Sequence, residues 1–258
     1  MLKYYDRGWN PLFGCCGQFA GCDHCYAAEQ MLKRGFSTNF REVCINRKQL
    51  HRDFVEGEVI GICTQSDLFQ DGLQDGFIDG IIRKCALSTR NTFMTVTKFT
   101  DNMLKYFNDP GLPDRLSRNG FSEVSLDNIA FGATICCADD LYRLDDIHNT
   151  NMIKHRFLAF EPLLEDVSKY LDVMFFNGIE WIIVGAETGE NATPCEIEWI
   201  ESIVGLADKA NIPVFVNAVN VNGRLVTEVK DKPEALRRNE CPYNGNRQFR
   251  LTGKKHWK

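Results

Sequence analysis

A chain of 258 residues, 44% hydrophobic and 25% charged, is long enough to bury a sizeable core without disulfide staples and too apolar to stay disordered. Its net charge of −5 argues against a wholly basic nucleic-acid coat, while leaving room for a local basic patch. Eleven cysteines are unlike a secreted disulfide scaffold here: Met1 to Arg7 hold no apolar signal core, and the run Trp181–Val184 is far too short to cross a bilayer. The expectation is a soluble cytosolic protein with no membrane partner, whose cysteines bind metal or catalyse.

In chain order, a first strand is expected near Tyr5–Asn10, then a cysteine-bearing loop, then a helical pattern from Tyr26 to Gly35. Short apolar runs follow at 59–63, 92–96, 129–134, 156–160, 181–185 and 213–216. None alternates with polar residues, the pattern of strands buried on both faces. Amphipathic stretches such as 74–87 and 195–210 lie between them, so strand–helix repetition predicts an α/β fold, a parallel sheet with helices outside. This many units, with no G-x-G-x-x-G after any strand, predicts a partial or complete (β/α) TIM-like barrel over 1–226. Lys98–Asn128, with Asp109-Pro110-Gly111 and Pro113, reads as a helix plus an irregular insertion near 100–128. Past Val226 the strand pattern stops, and 227–258 reads as a basic C-terminal extension. From residue 237 onward it carries Arg237, Arg238, Arg247, Arg250, Lys254, Lys255 and Lys258 against the single acid Glu240.

Polar residues close these strands in succession: Ser66 and Asp67, then Thr97 and Lys98, Thr134, Glu161, Glu187 and Asn217. One such residue is explained as a helix cap. Six strands in a row predict a polar, functional barrel mouth.

Between Trp9 and Ala27 stand Cys15, Cys22 and Cys25, spaced C-x6-C-x2-C among Gly14, Gly17 and Gly21. Those glycines let a tight loop wrap a bound object without Cβ clashes. Two metal chemistries compete. Zinc wants a closed tetrahedral set, with Cys16 or His24 available locally. A [4Fe–4S] cluster on three thiolates leaves one iron open for chemistry. No second C-x-x-C or C-x-x-H pair lies downstream, which favours the cluster. Cys136-Cys137 and the remaining Cys44, Cys63, Cys85, Cys195 and Cys241 read as ordinary buried thiols.

Trp9-Asn10-Pro11, Gly14-Cys15, Gly21-Cys22 and Cys25-Tyr26-Ala27 are followed by Ser66-Asp67-Leu68-Phe69, Thr97-Lys98, Glu161-Pro162-Leu163-Leu164 and the stretch 181–189. In that order, over residues 9 to 217, these motifs resemble phage- and prophage-associated radical-SAM-like proteins, a branch of the radical S-adenosylmethionine superfamily. Three features depart from the pattern. Phe215-Val216-Asn217-Ala218-Val219 stands for F-K-Q-W-G, Ala186 stands for a glycine, and the cysteine spacing is not the commoner C-x3-C-x2-C.

The resemblance implies that Cys15, Cys22 and Cys25 hold a [4Fe–4S] cluster whose fourth iron takes S-adenosyl-L-methionine. One electron from an external donor then releases a 5′-deoxyadenosyl radical that abstracts hydrogen from the substrate. It implies cofactor-binding roles for Ser66, Asp67, Thr97 and Thr134, and catalytic roles for Lys98, Glu161 and Glu187. The basic tail, with Phe249, His256 and Trp257 interleaved, suits phosphates and bases. A nucleic-acid base or nucleotide is thus the first expected substrate, and host cytoplasm the expected setting of a phage protein. The competing expectation is a zinc-stabilised nucleic-acid-binding or adaptor protein without turnover.

Overall fold

The computed structural model describes residues 4–33, 35, 39–117, 124–189 and 191–243. Seven strands follow one another across one sheet in chain order: β1 (Arg7–Trp9), β2 (Val59–Ile62), β3 (Thr92–Thr97), β4 (Ile129–Thr134), β5 (His155–Phe160), β6 (Trp181–Val184) and β7 (Val214–Val216). Every neighbouring pair is parallel. The crossovers carry α1 (Tyr26–Lys33), α2 (Asp75–Leu87), α3 (Thr100–Phe107), α4 (Leu112–Ser117), α5 (Tyr142–Asn149) and α6 (Ile197–Lys209). Strand order never reverses, which sets this sheet apart from doubly wound folds. The expected insertion is α3 followed by α4, and residues 118–123 lie outside the described residues.

Successive side chains on a strand point to opposite faces, and here both faces are buried. Ile60, Phe93, Phe131, Leu158, Ile182 and Val214 pack under the helices through Ile81, Met103, Ile147 and Ile203. Met94, Ala130, Phe157, Trp181 and Phe215 form the second core on the other face. That double burial is why the strands read as apolar runs without alternation.

The second face is concave. Tyr4 lies just ahead of β1, at one sheet edge, yet its ring meets Trp181 of β6 and Phe215 of β7 edge-to-face at 5.5 and 5.4 Å. The sheet is therefore curled into a half-barrel, with Tyr4, Tyr5 and Tyr243 packed inside it. Among the described residues, no strand pairing joins β7 back to β1. Gly132 sits beside Phe157 on this face, and a Cβ there would overlap the Phe157 ring.

Part of the segment expected as a C-terminal extension after Val226 packs on the sheet. Residues 229–243 return to β7: Lys232 Nζ donates to the Val216 carbonyl at 2.6 Å, and the Val216 N–H donates to the Arg238 carbonyl at 3.0 Å. Tyr243 reaches the Trp181 ring at 5.5 Å. These contacts depend on single residues with no repeating pattern, so hydrophobic periodicity does not reveal them. Arg238, assigned to the basic tail, pairs instead with Asp208 and Glu240. The tail residues Arg247, Phe249, Arg250, Lys254, Lys255, His256, Trp257 and Lys258 lie outside the described residues. Among the described residues, no helix is long and apolar enough to cross a membrane.

Candidate metal centre at the sheet's carboxyl edge

The cysteine loop leaves β1 through a firm anchor. Trp9 is fully buried, and its indole N–H donates to the Gln49 carbonyl at 2.8 Å. Asn10 Oδ1 accepts from the Thr64 hydroxyl and the Gln65 N–H, both at 3.1 Å, tying the ends of β1 and β2 together. Gly14 follows at φ +80, and a Cβ there would overlap the Glu42 carbonyl, so this turn requires glycine.

The segment after β2 clamps the loop. The Ser66 hydroxyl donates to the Gly14 carbonyl at 2.5 Å. Gln70 Nε2 donates to Ser66 Oγ at 2.8 Å, while Gln70 Oε1 accepts the Cys16 N–H at 2.9 Å. Asp67 is buried: its Oδ1 accepts from Thr97 Oγ1 at 2.6 Å and the Phe69 N–H at 3.0 Å, and its Oδ2 accepts the Lys98 N–H at 3.0 Å. Burial pushes the Asp67 carboxyl up despite these donors. Three expected cofactor residues, Ser66, Asp67 and Thr97, thus form a bracket between the loop and β3. Gln70 completes it and escaped the sequence reading; its one signal is a glutamine directly after the apolar pair Leu68-Phe69.

Two of the three thiols meet at Gly17: a Cβ there would stand 3.4 Å from Cys22 Sγ, 3.5 Å from Cys15 Sγ and 3.6 Å from the Phe19 ring, so both sulfurs lie beside this glycine. Burial, with the nearby Asp67, pushes the Cys15 thiol up to about 12; a coordinated metal would deprotonate it outright. Lys98 Cε would stand 3.1 Å from a Cβ on Gly21, the residue before Cys22. Burial pulls its ammonium down, but Cys136, Cys22, Cys25 and Asp67 more than offset that and hold it above its ordinary value. Cys16 and His24 turn elsewhere: Cys16 Sγ faces the Asp71 carbonyl at 3.8 Å, and His24 Nδ1 lies 3.0 Å from Glu187 Oε2.

Among the described residues, no group of three or more His, Cys, Asp or Glu side chains is drawn close enough to hold a single metal ion. A lone zinc needs all its donors about 2.0–2.3 Å from one point. A four-iron cluster spreads its thiolates over several irons.

The strand ends bring the other expected residues to one rim. Lys98, Thr134, Glu161 and Asn217 continue the alternation of Met94, Ala130, Phe157 and Phe215, on the concave side. Glu161 accepts a hydrogen bond from Asn217 Nδ2. Burial raises its pKa in spite of Asn217, Lys98 and Lys232. Asn217 is 4% exposed, and its Oδ1 has no partner among the described residues. Glu187, past β6, accepts the Thr193 N–H at 2.7 Å and faces His24, so it fastens the loop from the opposite side. Burial raises the Glu187 carboxyl, but Thr193 and His24 outweigh it and leave it below the ordinary value.

The profile of a family described as protein of unknown function, DUF5131, matches residues 1–235. No curated protein and no solved structure matches the chain.

Proposed function

The chain belongs to the DUF5131 family, and for it we propose a radical S-adenosylmethionine-type enzyme on a partial (β/α) barrel. One observation carries the reading: the Cys15 and Cys22 sulfurs both lie beside Gly17, in a chain whose strand ends bring Lys98, Thr134, Glu161 and Asn217 to one rim. Cys15, Cys22 and Cys25 would hold a [4Fe–4S] cluster and leave one iron for S-adenosyl-L-methionine. Together, when bound, these groups supply one-electron cleavage of the sulfonium C–S bond to a 5′-deoxyadenosyl radical.

The chain's own residues orient and enclose. Gln70, Ser66 and Glu187 hold the loop, and Lys98 lies against it at Gly21. The buried, unpartnered Asn217 Oδ1 and the Glu161 carboxyl beside it present hydrogen-bonding groups to a donor-rich ligand. A nucleobase or nucleotide carries such donors and is the proposed substrate class, and the basic tail is its proposed contact for phosphate. Such chemistry needs an external electron donor and a reducing compartment, which the cytoplasm of a phage-infected host would provide.

The test is anaerobic purification and reconstitution with iron and sulfide. A brown protein with about four irons per chain, which cleaves S-adenosylmethionine to 5′-deoxyadenosine and loses both properties in Cys22→Ala, supports the reading. A colourless protein holding one zinc overturns it in favour of a zinc-stabilised binding or adaptor protein. A cluster-bearing protein that never cleaves S-adenosylmethionine leaves only structure or electron transfer.

A further inference from the structure

The two faces of the sheet are filled by different rings. Under the helices the buried rings are mostly phenylalanines, Phe69, Phe93, Phe107 and Phe131 among them. On the concave side Tyr4, Tyr5, Tyr243 and Trp181 join Phe157 and Phe215. Phenylalanine fills space without a hydroxyl to desolvate, so packing alone does not call for tyrosine there. Tyrosine and tryptophan add one property: each can lose a single electron to oxidants that leave a phenyl ring intact.

These rings stand in an unbroken file across the curl. Gly61 of β2 leaves the space that the Tyr5 ring takes: a Cβ there would stand 3.1 Å from Tyr5 Cδ1 and would overlap Thr64 Cγ2. Tyr5 therefore lies beside Thr64, whose hydroxyl binds Asn10 at the carboxyl edge of the sheet. From Tyr5 the file runs to Tyr4 at 5.4 Å between ring centres, to Trp181 at 5.5 Å and to Tyr243 at 5.5 Å, edge-to-face at each step. The Trp181 N–H is fixed on the Glu240 carbonyl at 2.7 Å. A thiol stands at the far end. Cys241 packs on this core, with Sγ 3.7 Å from the Tyr4 carbonyl oxygen and 3.6 Å from that of Tyr243. Tyr5 and Cys241 are half-buried, whereas Trp181 and Tyr243 are fully buried. Oxidisable groups with some exposure at both ends, joined by rings in contact, make a path for single electrons.

We propose that Tyr5, Tyr4, Trp181, Tyr243 and Cys241 form a relay that carries an oxidising equivalent from the strand-end rim to a thiol that solvent reaches. The relay draws its oxidant, a carbon-centred radical, from the radical-enzyme reading above. That radical takes the hydroxyl hydrogen atom of Tyr5, so a C–H bond forms and the Tyr5 O–H bond breaks. An electron from Tyr4 and a proton from water restore Tyr5, while Tyr4 releases its own hydroxyl proton to water. Trp181 and Tyr243 share the missing electron with Tyr4 by the same exchange. Cys241 then gives up an electron and its S–H proton. The resulting thiyl takes a hydrogen atom from a soluble thiol, and the soluble thiyl radicals couple in pairs to a disulfide.

The test supplies the oxidant by light and needs neither a cluster nor S-adenosylmethionine. The full chain is flashed with a ruthenium tris-bipyridine complex and persulfate in the presence of a nitrone spin trap. Peptide mass spectrometry then locates the trapped adducts in wild type, Tyr5→Phe, Tyr4→Phe and Cys241→Ala. In wild type the adduct on Cys241 should exceed several-fold that on Cys137, a thiol of the same intermediate exposure. Tyr5→Phe and Tyr4→Phe keep the rings but lose the oxidisable hydroxyl, and each should lower the Cys241 adduct several-fold. Cys241→Ala should leave the adduct on Tyr4, Trp181 or Tyr243. Equal labelling of Cys241 and Cys137 in wild type overturns the relay however the variants fold. A Cys241 adduct unchanged in both tyrosine variants overturns it too. Either failure leaves the radical-enzyme reading standing, and a chain that takes up no iron but shows the relay loses only that reading.

Discussion

Gln70 holds Cys16 across 54 positions of sequence, accepting its backbone N–H at 2.9 Å while donating to Ser66 Oγ at 2.8 Å. The amide is 2% exposed, and it links two half-buried partners. Truncation to alanine should cost about 1–3 kcal/mol, the penalty of leaving buried polar groups unpaired. The loop that carries the thiols should loosen with it. Urea denaturation and iron per chain after reconstitution check both effects; a Gln70→Ala protein with unchanged stability and unchanged iron uptake would contradict the clamp.

Gly132 offers a purely steric test. A Cβ there would overlap Phe157, whose ring is fully buried and packed on Trp181 at 5.6 Å. Gly132→Ala should therefore destabilise by about 1–3 kcal/mol, as overpacked cores do. Gly80, inside α2 with nothing within 4 Å of its Cβ position, is the matched control. Gly80→Ala should stabilise by about 0.5–1 kcal/mol through helix propensity. Denaturation midpoints of opposite sign are the expected result.

Glu161 should separate stability from function. Its carboxyl is raised by burial, so the ionised form carries a desolvation cost at neutral pH. Glu161→Gln removes that charge, and the amide can still hydrogen-bond Asn217. The variant should be as stable as wild type or more so, yet lose S-adenosylmethionine-dependent turnover while keeping its metal. A variant that is less stable and fully active would make Glu161 a structural residue.

Lys232 supplies a pH dependence. It is 1% exposed, and burial lowers its ammonium to about 8 from an ordinary 10.5, against the raising effect of Glu228 and Glu161. The unfolded chain keeps this proton to higher pH than the folded chain does. Stability attributable to Lys232 therefore rises with pH between about 8 and 10.5. Compared with Lys232→Met, wild type should gain stability as pH climbs through that window, and a flat difference would refute the assignment. The hydrogen bond to Val216 persists in the neutral amine, which still donates.

Much of the architecture was legible from residue order. The strands at Ile129–Thr134 and Trp181–Val184 stand where unalternating apolar runs put them, because burial on both faces demands apolar residues at every position. The glycine-rich cysteine loop and the polar strand ends were legible too: strand-end residues of a parallel sheet share one rim whatever their distance in sequence. The bracket formed by Ser66, Asp67 and Thr97 was not. Residue type alone does not tell a carboxylate that meets a ligand from one that accepts Thr97 and the Lys98 N–H.

What local patterning determined by itself is therefore the seven strands of the main sheet, their parallel order and the cysteine loop that follows the first of them. The curl of the sheet was decided only in three dimensions, where Tyr4 meets Phe215 across its open edges. So were the return of Tyr243 to the concave core, the clamp through Gln70, and the meeting of Cys136 with Gly21 and Lys98. The division has a physical cause. Hydrophobic periodicity records which face of an element is buried, whereas these contacts join single residues from distant segments and leave no repeat to read.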